Sequence, residues 1–148
     1  MRIAVVSDTH DRVPASLLAA IAEADEIWHL GDVTERATLE EFRWLGRPLK
    51  VVRGNCDHEN AWPMTLKCEL SGLRFLLVHI PPAVAPAEVD VLLHGHTHVP
   101  RNEVIAKVRF LNPGCITRPN RGAPASFAWL EILGEKSFRW TPVPTASL

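Results

Sequence analysis

Seven side chains able to bind a metal ion stand at or just beyond the ends of apolar runs: Asp8, His10, Asp32, Asn55, His79, His96 and His98. The stretch LLHGHTHVP, Leu92 to Pro100, poses the problem most sharply. Three of the chain's seven histidines, His94, His96 and His98, fall there at alternate positions. In an extended segment that spacing sends side chains to one face, and on its own it fits either a strand with polar decoration or part of a metal site. A pair of imidazoles leaves a transition metal short of donors, so a metal reading needs ligands from elsewhere in the chain. Carboxylate, amide and neutral imidazole donors suit Mn, Fe, Co, Ni or Zn and lack the thiolates of a structural zinc site. Seven donors exceed what one such ion takes. They fit two ions about 3.5–4 Å apart sharing a carboxylate, the arrangement used for phosphoryl hydrolysis.

The elements that must position these donors are short runs rich in Val, Ile and Leu: Ile3 to Val6, Glu26 to Leu30, Leu49 to Val52, Leu73 to Val78 and Val89 to Leu93. Runs of this length suit strands buried on both faces. Helical patterns over Pro14 to Ala24 and Thr34 to Leu45 separate the first three, so the opening reads β-α-β-α-β with parallel strands. Leu39, Phe42, Trp44 and Leu45 are the apolar stripe expected of the second helix. MTLKCEL and LRFLLVH, joined by Ser71-Gly72, read as an antiparallel hairpin. EVIAKVRFLNPG, ASFAWLEI and KSFRWTPV read as three further strand-like segments, Ile80 to Pro86 as an irregular loop, and the final PVPTASL as a fraying end. In open α/β sheets the loops beyond the carboxyl ends of the strands gather at one crevice. Gly31, Gly54 and Gly95, each just before a donor, would let the backbone turn sharply there.

A chain of 148 residues fits one domain, 1–148, with one active region. The net charge of −1 and the absence of a basic stripe give no electrostatic case for nucleic acid or a membrane surface. The four apolar residues before Ser7 are too few for a signal-peptide core, and no run approaches membrane-spanning length. A cytoplasmic protein acting on a small ligand is expected, with a homo-oligomer left open. Cys56, Cys68 and Cys115 show no CxxC spacing and read as reduced thiols.

Taken in order, SDTHD, HLGD, GNCD, VH and HGHTH resemble the motifs of the calcineurin-like metallophosphoesterases, the small bacterial and archaeal phosphodiesterase group in particular. FLNPGCITRP is similar to that group's Asn-Pro-Gly turn, so the resemblance runs over almost the whole chain. It implies an α/β fold, a two-sheet β-sandwich flanked by helices, and two divalent transition metal ions, Mn first, with Ni, Co, Fe or Zn as alternatives. One ion would be held by Asp8, His10 and His98 and the other by Asn55, His79 and His96, with Asp32 bridging both. Asp32, Asn55 and His79 are then the catalytic members of the set. The implied activity is hydrolysis of a small phosphoester, a phosphodiester ahead of a monoester, by a metal-activated water. A protein-binding scaffold on the same fold, like the retromer subunit, is the other reading the resemblance allows.

Departures from the pattern matter. Cys56 stands where the protein phosphatases of the superfamily carry a catalytic His, the chain has no tyrosine, and only 15 residues separate His79 from Gly95, so the helix that relatives place there is expected to be clipped and the rim of the pocket altered. Of the residues outside the donor set, His29 and His94 read as core or supporting histidines. Asp57 reads as a carboxylate that orients a ligand or as plain loop, and His58 as a proton donor or a solvated side chain. Arg118 and Arg121 are phosphate-holding candidates weighed against solvated arginines, and the tryptophans are expected in the core.

Overall fold

The computed structural model describes all 148 residues. Five strands and two helices make the first half of the architecture: β1 (Arg2–Val6), α1 (Ala15–Ile21), β2 (Glu26–His29), α2 (Arg36–Arg43), β3 (Leu49–Val51), β4 (Thr65–Leu70) and β5 (Leu73–Val78). The second half is all strand until the end: β6 (Val91–Leu93), β7 (Arg101–Ile105), β8 (Val108–Asn112), β9 (Ser126–Gly134) and β10 (Ser137–Pro144), followed by a 3₁₀ turn over Thr145–Ser147. They form two mixed sheets, ordered β10-β9-β1-β2-β3 and β4-β5-β6-β8-β7. Strands β1, β2 and β3 are parallel in the first sheet, as are β5, β6 and β8 in the second; β9, β10, β4 and β7 run antiparallel to their neighbours.

Continuous apolar strands are explained by what lies on each face. Successive side chains of a strand point to opposite sides, so Ile3 and Val5 of β1 enter the layer between the sheets with Trp28, Phe75, Leu77, Val91, Leu93 and Leu111. Ala4 and Val6 turn the other way, against Leu17 and Ile21 of α1 and Leu39 and Phe42 of α2. A fully buried Leu, Ile or Phe contributes about 1.5–3 kcal/mol relative to an exposed one, which is why β1 to β8, each of three to six residues, are long enough to hold their places in the two sheets. The helices cover one sheet only. The far face of the second sheet carries Leu76, Val78, Leu92, Val108 and Phe110, packed with Val89 and Ala85 of the irregular segment that follows His79. That segment covers the face that neither helix reaches.

The structure differs from the sequence reading at three places. EVIAKVRFLNPG is not one strand but the β7–β8 hairpin, closed by Ala106 and Lys107 at φ 47° and 70° between the paired Ile105 and Val108. Both central residues of such a two-residue turn need positive φ, which normally selects Asn-Gly, so the turn carried no signal. The PVP of the final segment does not fray. Pro142, Val143 and Pro144 pair with β9 as part of the edge strand β10, where a proline can face its missing N–H to solvent. Trp44, expected on the buried stripe of α2, is 81% exposed, because it caps the helix after Arg43 instead of extending its apolar face.

Replacing Ala106-Lys107 by Asn-Gly should therefore stabilise the fold by about 1 kcal/mol, since an L-residue in the left-handed region costs about 1–2 kcal/mol and part of that gain is lost to glycine's unfolded-state entropy. In urea unfolding the midpoint should rise at constant slope. An unchanged or lower midpoint would show that the turn is not strained.

Candidate metal centre

The donors meet because the loops beyond the strands remain paired after the strands end. Asp8 N–H donates to Gly31 O at 3.0 Å and His10 N–H to Asp32 O at 2.9 Å, which ties the loop after β1 to the loop after β2. In the second sheet Gly95 N–H donates to His79 O at 3.0 Å, joining the loops after β5 and β6. The two sheets touch at this end: His96 N–H donates to Asp8 Oδ2 at 3.2 Å.

All seven residues come together, graded from buried to exposed. Asp8, His10, Asp32 and His79 are buried, His98 is half-buried, and Asn55 and His96 face solvent. Three groups place ligand atoms within 4.8 Å of one another: Asp8, His10 and His98; Asp8, Asp32 and His79; and His10, Asp32 and Cys56. His96 Nδ1 lies 3.0 Å from Asn55 Oδ1. Asp8 Oδ1 is 3.1 Å from His98 Nε2 and 3.8 Å from His79 Nε2. The Asp8 carboxylate thus faces one histidine from each half of the expected set, and Asp32 reaches the same ground with its Oδ2 3.4 Å from His79 Nε2.

Tautomers decide what this geometry can hold. His79 Nδ1 lies 2.8 Å from Leu30 O, and His98 Nδ1 2.6 Å from Arg118 O. A carbonyl only accepts, so each Nδ1 carries the proton and each Nε2 of the neutral ring presents a lone pair. Those lone pairs face carboxylate oxygens. Two acceptors pointed at one another require a cation between them, and His79 Nε2 and His10 Nε2 are indeed buried with no hydrogen-bond partner. Buried polar atoms are otherwise paired. The residues present fit divalent metal ions. Burial opposes charging of His79, but Asp32 and Asp8 outweigh it and hold its pKa above the usual imidazole value. Asp32 is itself burdened by burial, yet His79 and the Cys56 N–H, donating at 2.8 Å, keep its carboxyl well below the ordinary range.

Five of the seven donors also have strained backbones. Asp8, His10, Asp32, His96 and His98 have φ of 54°, 49°, 56°, 67° and 59°. Each costs about 1–2 kcal/mol in the left-handed region, and such outliers persist only where the surroundings over-determine them. Gly31 shares that conformation at φ 97°, as expected of a turn glycine. Gly54 and Gly95 do not; they are glycines for want of space. A Cβ on Gly54 would overlap the Asp32 carboxylate, and one on Gly95 the Ser7 hydroxyl.

Supporting groups surround the donors, and one of them, Ser7, carries no signal in the sequence. Ser7 Oγ donates to Asp8 Oδ2 at 2.6 Å. The buried Asn112 donates to Gly95 O at 3.1 Å and Thr97 Oγ1 at 3.0 Å while accepting Gly114 N–H at 2.8 Å, pinning the HGHTH loop to the turn after β8. Asp57 is not plain loop. Its two oxygens accept N–H groups from Asp32, Thr34 and Gly54 at 2.9, 2.8 and 2.7 Å. His29 is a packed core histidine, accepting Gly31 N–H at Nδ1 and bonded to Thr9 through Nε2, with its pKa pushed down to about 3 by burial and by His79. His94 is buried behind the loop with Nδ1 on Gly95 O and Nε2 toward Arg101; burial first, against the Gly95 carbonyl, lowers it to about 4. Cys56 stands closer to the donors than a bystander would, but burial and the nearby Asp32 raise its pKa, which keeps it a thiol. His58 and Arg121 are exposed, and Arg118 reaches the site only through its carbonyl.

Known proteins resemble the chain in sequence and in fold. The family model described as calcineurin-like phosphoesterase superfamily domain matches residues 1–135. A probable metallophosphoesterase of Methanothermobacter thermautotrophicus is 32% identical, over 92% of this chain and 88% of that one. The phosphodiesterase YfcE of Escherichia coli is 30% identical over 88% of each. Among solved structures, that of YfcE superposes with a TM-score of 0.76 at 26% identity, covering 98% of this chain and all of that one. Zinc-complexed Vps29 of Entamoeba histolytica shares the fold with a TM-score of 0.77 at 23% identity, covering 98% and 99%. With its donors gathered where the two sheets meet and its matched residues spanning nearly the whole sequence, the chain belongs to the calcineurin-like phosphoesterase superfamily.

Proposed function

We propose that the chain is a binuclear metal-dependent phosphodiesterase acting on a small substrate, with manganese as the first-choice metal. The observation that carries this reading is the pair of buried imidazole Nε2 atoms without partners, on His10 and His79, beside the carboxylates of Asp8 and Asp32. We assign Asp8, His10 and His98 to one ion and Asn55, His79 and His96 to the other, with Asp32 shared and Asp8 close enough to both sets to help screen the charges. Bound there, divalent cations supply Lewis acidity to the phosphoryl oxygens and acidify a water. The chain's part is to hold this ground. Asp57 keeps the Asp32 and Asn55 loops in register, Asn112 holds the loop bearing His96 and His98, and the exposed Asn55 and His96 form the mouth through which substrate enters. In the hydrolysis, water oxygen bonds to phosphorus and one ester P–O bond breaks. One water proton leaves to solvent and the departing oxygen is protonated from solvent, because no side chain is placed to do so. The names of the YfcE relatives support the diesterase reading. A protein-binding scaffold is the second reading, favoured by the fold likeness to Vps29; the complete donor set favours catalysis.

The test is a screen of metal-stripped protein against phosphodiesters and monoesters with Mn, Ni, Co, Zn and Mg added back. Hydrolysis should require metal. A positioned general acid contributes about 10²–10⁴-fold, and here a thiol, Cys56, occupies the relevant place while His58 lines a separate cavity with Arg36 and Trp62. Aryl diesters such as bis(p-nitrophenyl) phosphate should therefore react far faster than dialkyl esters, and Cys56→Ser should keep most of the activity. Rates independent of leaving-group pKa, with chemistry limiting and the independence lost in His58→Ala, would put the proton on His58.

Asp32→Ala removes a donor from both ions, so metal content measured by mass spectrometry should fall well below two per chain, whereas His29→Ala should leave it unchanged. Full loading of the Asp32 variant would sink the bridging assignment.

The raised pKa of His79 fixes the sign of the pH effect. Metal must displace a proton that the carboxylates hold more firmly than usual, so apparent affinity should fall as pH drops toward and below neutrality, and binding should release protons. Calorimetry of Mn binding in buffers of different ionisation enthalpy reads this directly. Heats that do not depend on the buffer would contradict it.

A further inference from the structure

The donor cluster lies between two clefts, both with charged walls, of which one also carries Met64, Val78 and Ile80. On one side Asn55 and His79 line a cavity of about 380 Å³ whose other walls include Arg53, Met64 and Ile80. Met64 and Ile80 are 58% and 53% exposed, two large apolar side chains left open at the edge of an otherwise polar site. On the other side His96 lines a cavity of about 530 Å³ with His94, Asn120, Arg101 and Arg121. The clefts meet at the donors, because His96 Nδ1 is 3.0 Å from Asn55 Oδ1. Arg101 is already engaged, paired with Glu103 at 2.9 Å and lying 4.6 Å over the Phe110 ring. Arg121 makes no ion pair; its guanidinium is the free cation of that cleft.

A phosphomonoester has one organic arm and would fill one cleft. A diester with its phosphorus at the donors extends an arm to each side. The geometry points to an asymmetric phosphodiester as the substrate class: one flat, apolar arm of aryl or nucleobase size against Met64 and Ile80, and one polar arm bearing hydroxyls or a further anion against Asn120 and Arg121. Both cavities fall in the size range of small-molecule sites, which combine apolar walls with a few fixed polar groups, and a free guanidinium is suited to oxygen-rich groups. The assignment rests on the phosphodiesterase reading and concerns how the two arms are held; the bond broken is the one already described.

Steady-state kinetics of the metal-loaded chain on three substrates tests it: methyl p-nitrophenyl phosphate, bis(p-nitrophenyl) phosphate, and the p-nitrophenyl ester of thymidine monophosphate. Arg121→Glu should raise KM for the thymidine ester about 10-fold, the loss of one charge-assisted hydrogen bond, and leave KM for the methyl ester nearly unchanged. Ile80→Asp should raise KM for all three, since each carries an aryl arm, with kcat little affected. Equal effects of Arg121→Glu on the methyl and thymidine esters, or no effect of Ile80→Asp on any substrate, would overturn the two-cleft assignment while leaving the catalytic reading intact. Failure of the unaltered metal-loaded chain to hydrolyse any of the three would instead remove the catalytic reading on which the assignment rests.

Discussion

Two carboxylates, those of Asp8 and Asp32, are buried at the end of the sandwich with no lysine or arginine beside them. Burying an anion costs several kcal/mol even after relaxation, so the surrounding chain is organised around compensating that charge. Ser7, the Cys56 amide and the His96 amide donate to their oxygens. These dipoles are not enough, since the imidazole nitrogens closest to the carboxylates are lone pairs, their protons being committed to the carbonyls of Leu30 and Arg118. The site is completed only by positive charge from outside the chain. The arrangement of the loops around the two carboxylates answers to that requirement.

The strands were legible because donors follow Val, Ile and Leu runs directly, and the parallel order of β1, β2 and β3 was legible from the helices between them. The end of the sheet where chemistry gathers could be named from the same pattern. What stayed hidden depends on partners far away in the chain. Asp57 is three residues from Gly54 but 25 from Asp32, and nothing local says that it would accept amides from both. Asn112 acts on Gly95 across 17 residues. The position of the three glycines before donors points to sharp turning and close approach; the turning holds at Gly31 alone, while at Gly54 and Gly95 the constraint is steric, a limit that belongs to the folded state. The Ala106-Lys107 turn escaped notice because it uses residues that ordinarily avoid its conformation.

The likeness to Vps29 is one of fold. The two sheets and their mixed strand order rest on the layered apolar core. The candidate donors stand on the loops at one end of that core, beside the segment after His79. Here that segment is short and irregular, covers the far face of the second sheet through Ala85 and Val89, and leaves Ile80 exposed at the rim.

Because four of the donors ride on loops from one sheet and three on loops from the other, the distance between the two groups is set by what separates the sheets. That spacer is hydrocarbon. Val5, Leu30, Leu77 and Leu93, none of them able to touch a phosphate, act as gauge blocks whose thickness is transmitted through hydrogen-bonded loops to the spacing of the donors. The interior of this protein is thus also a dimensional standard, and a methylene added or removed deep in the sandwich is a change in the tolerance of the machinery at its end.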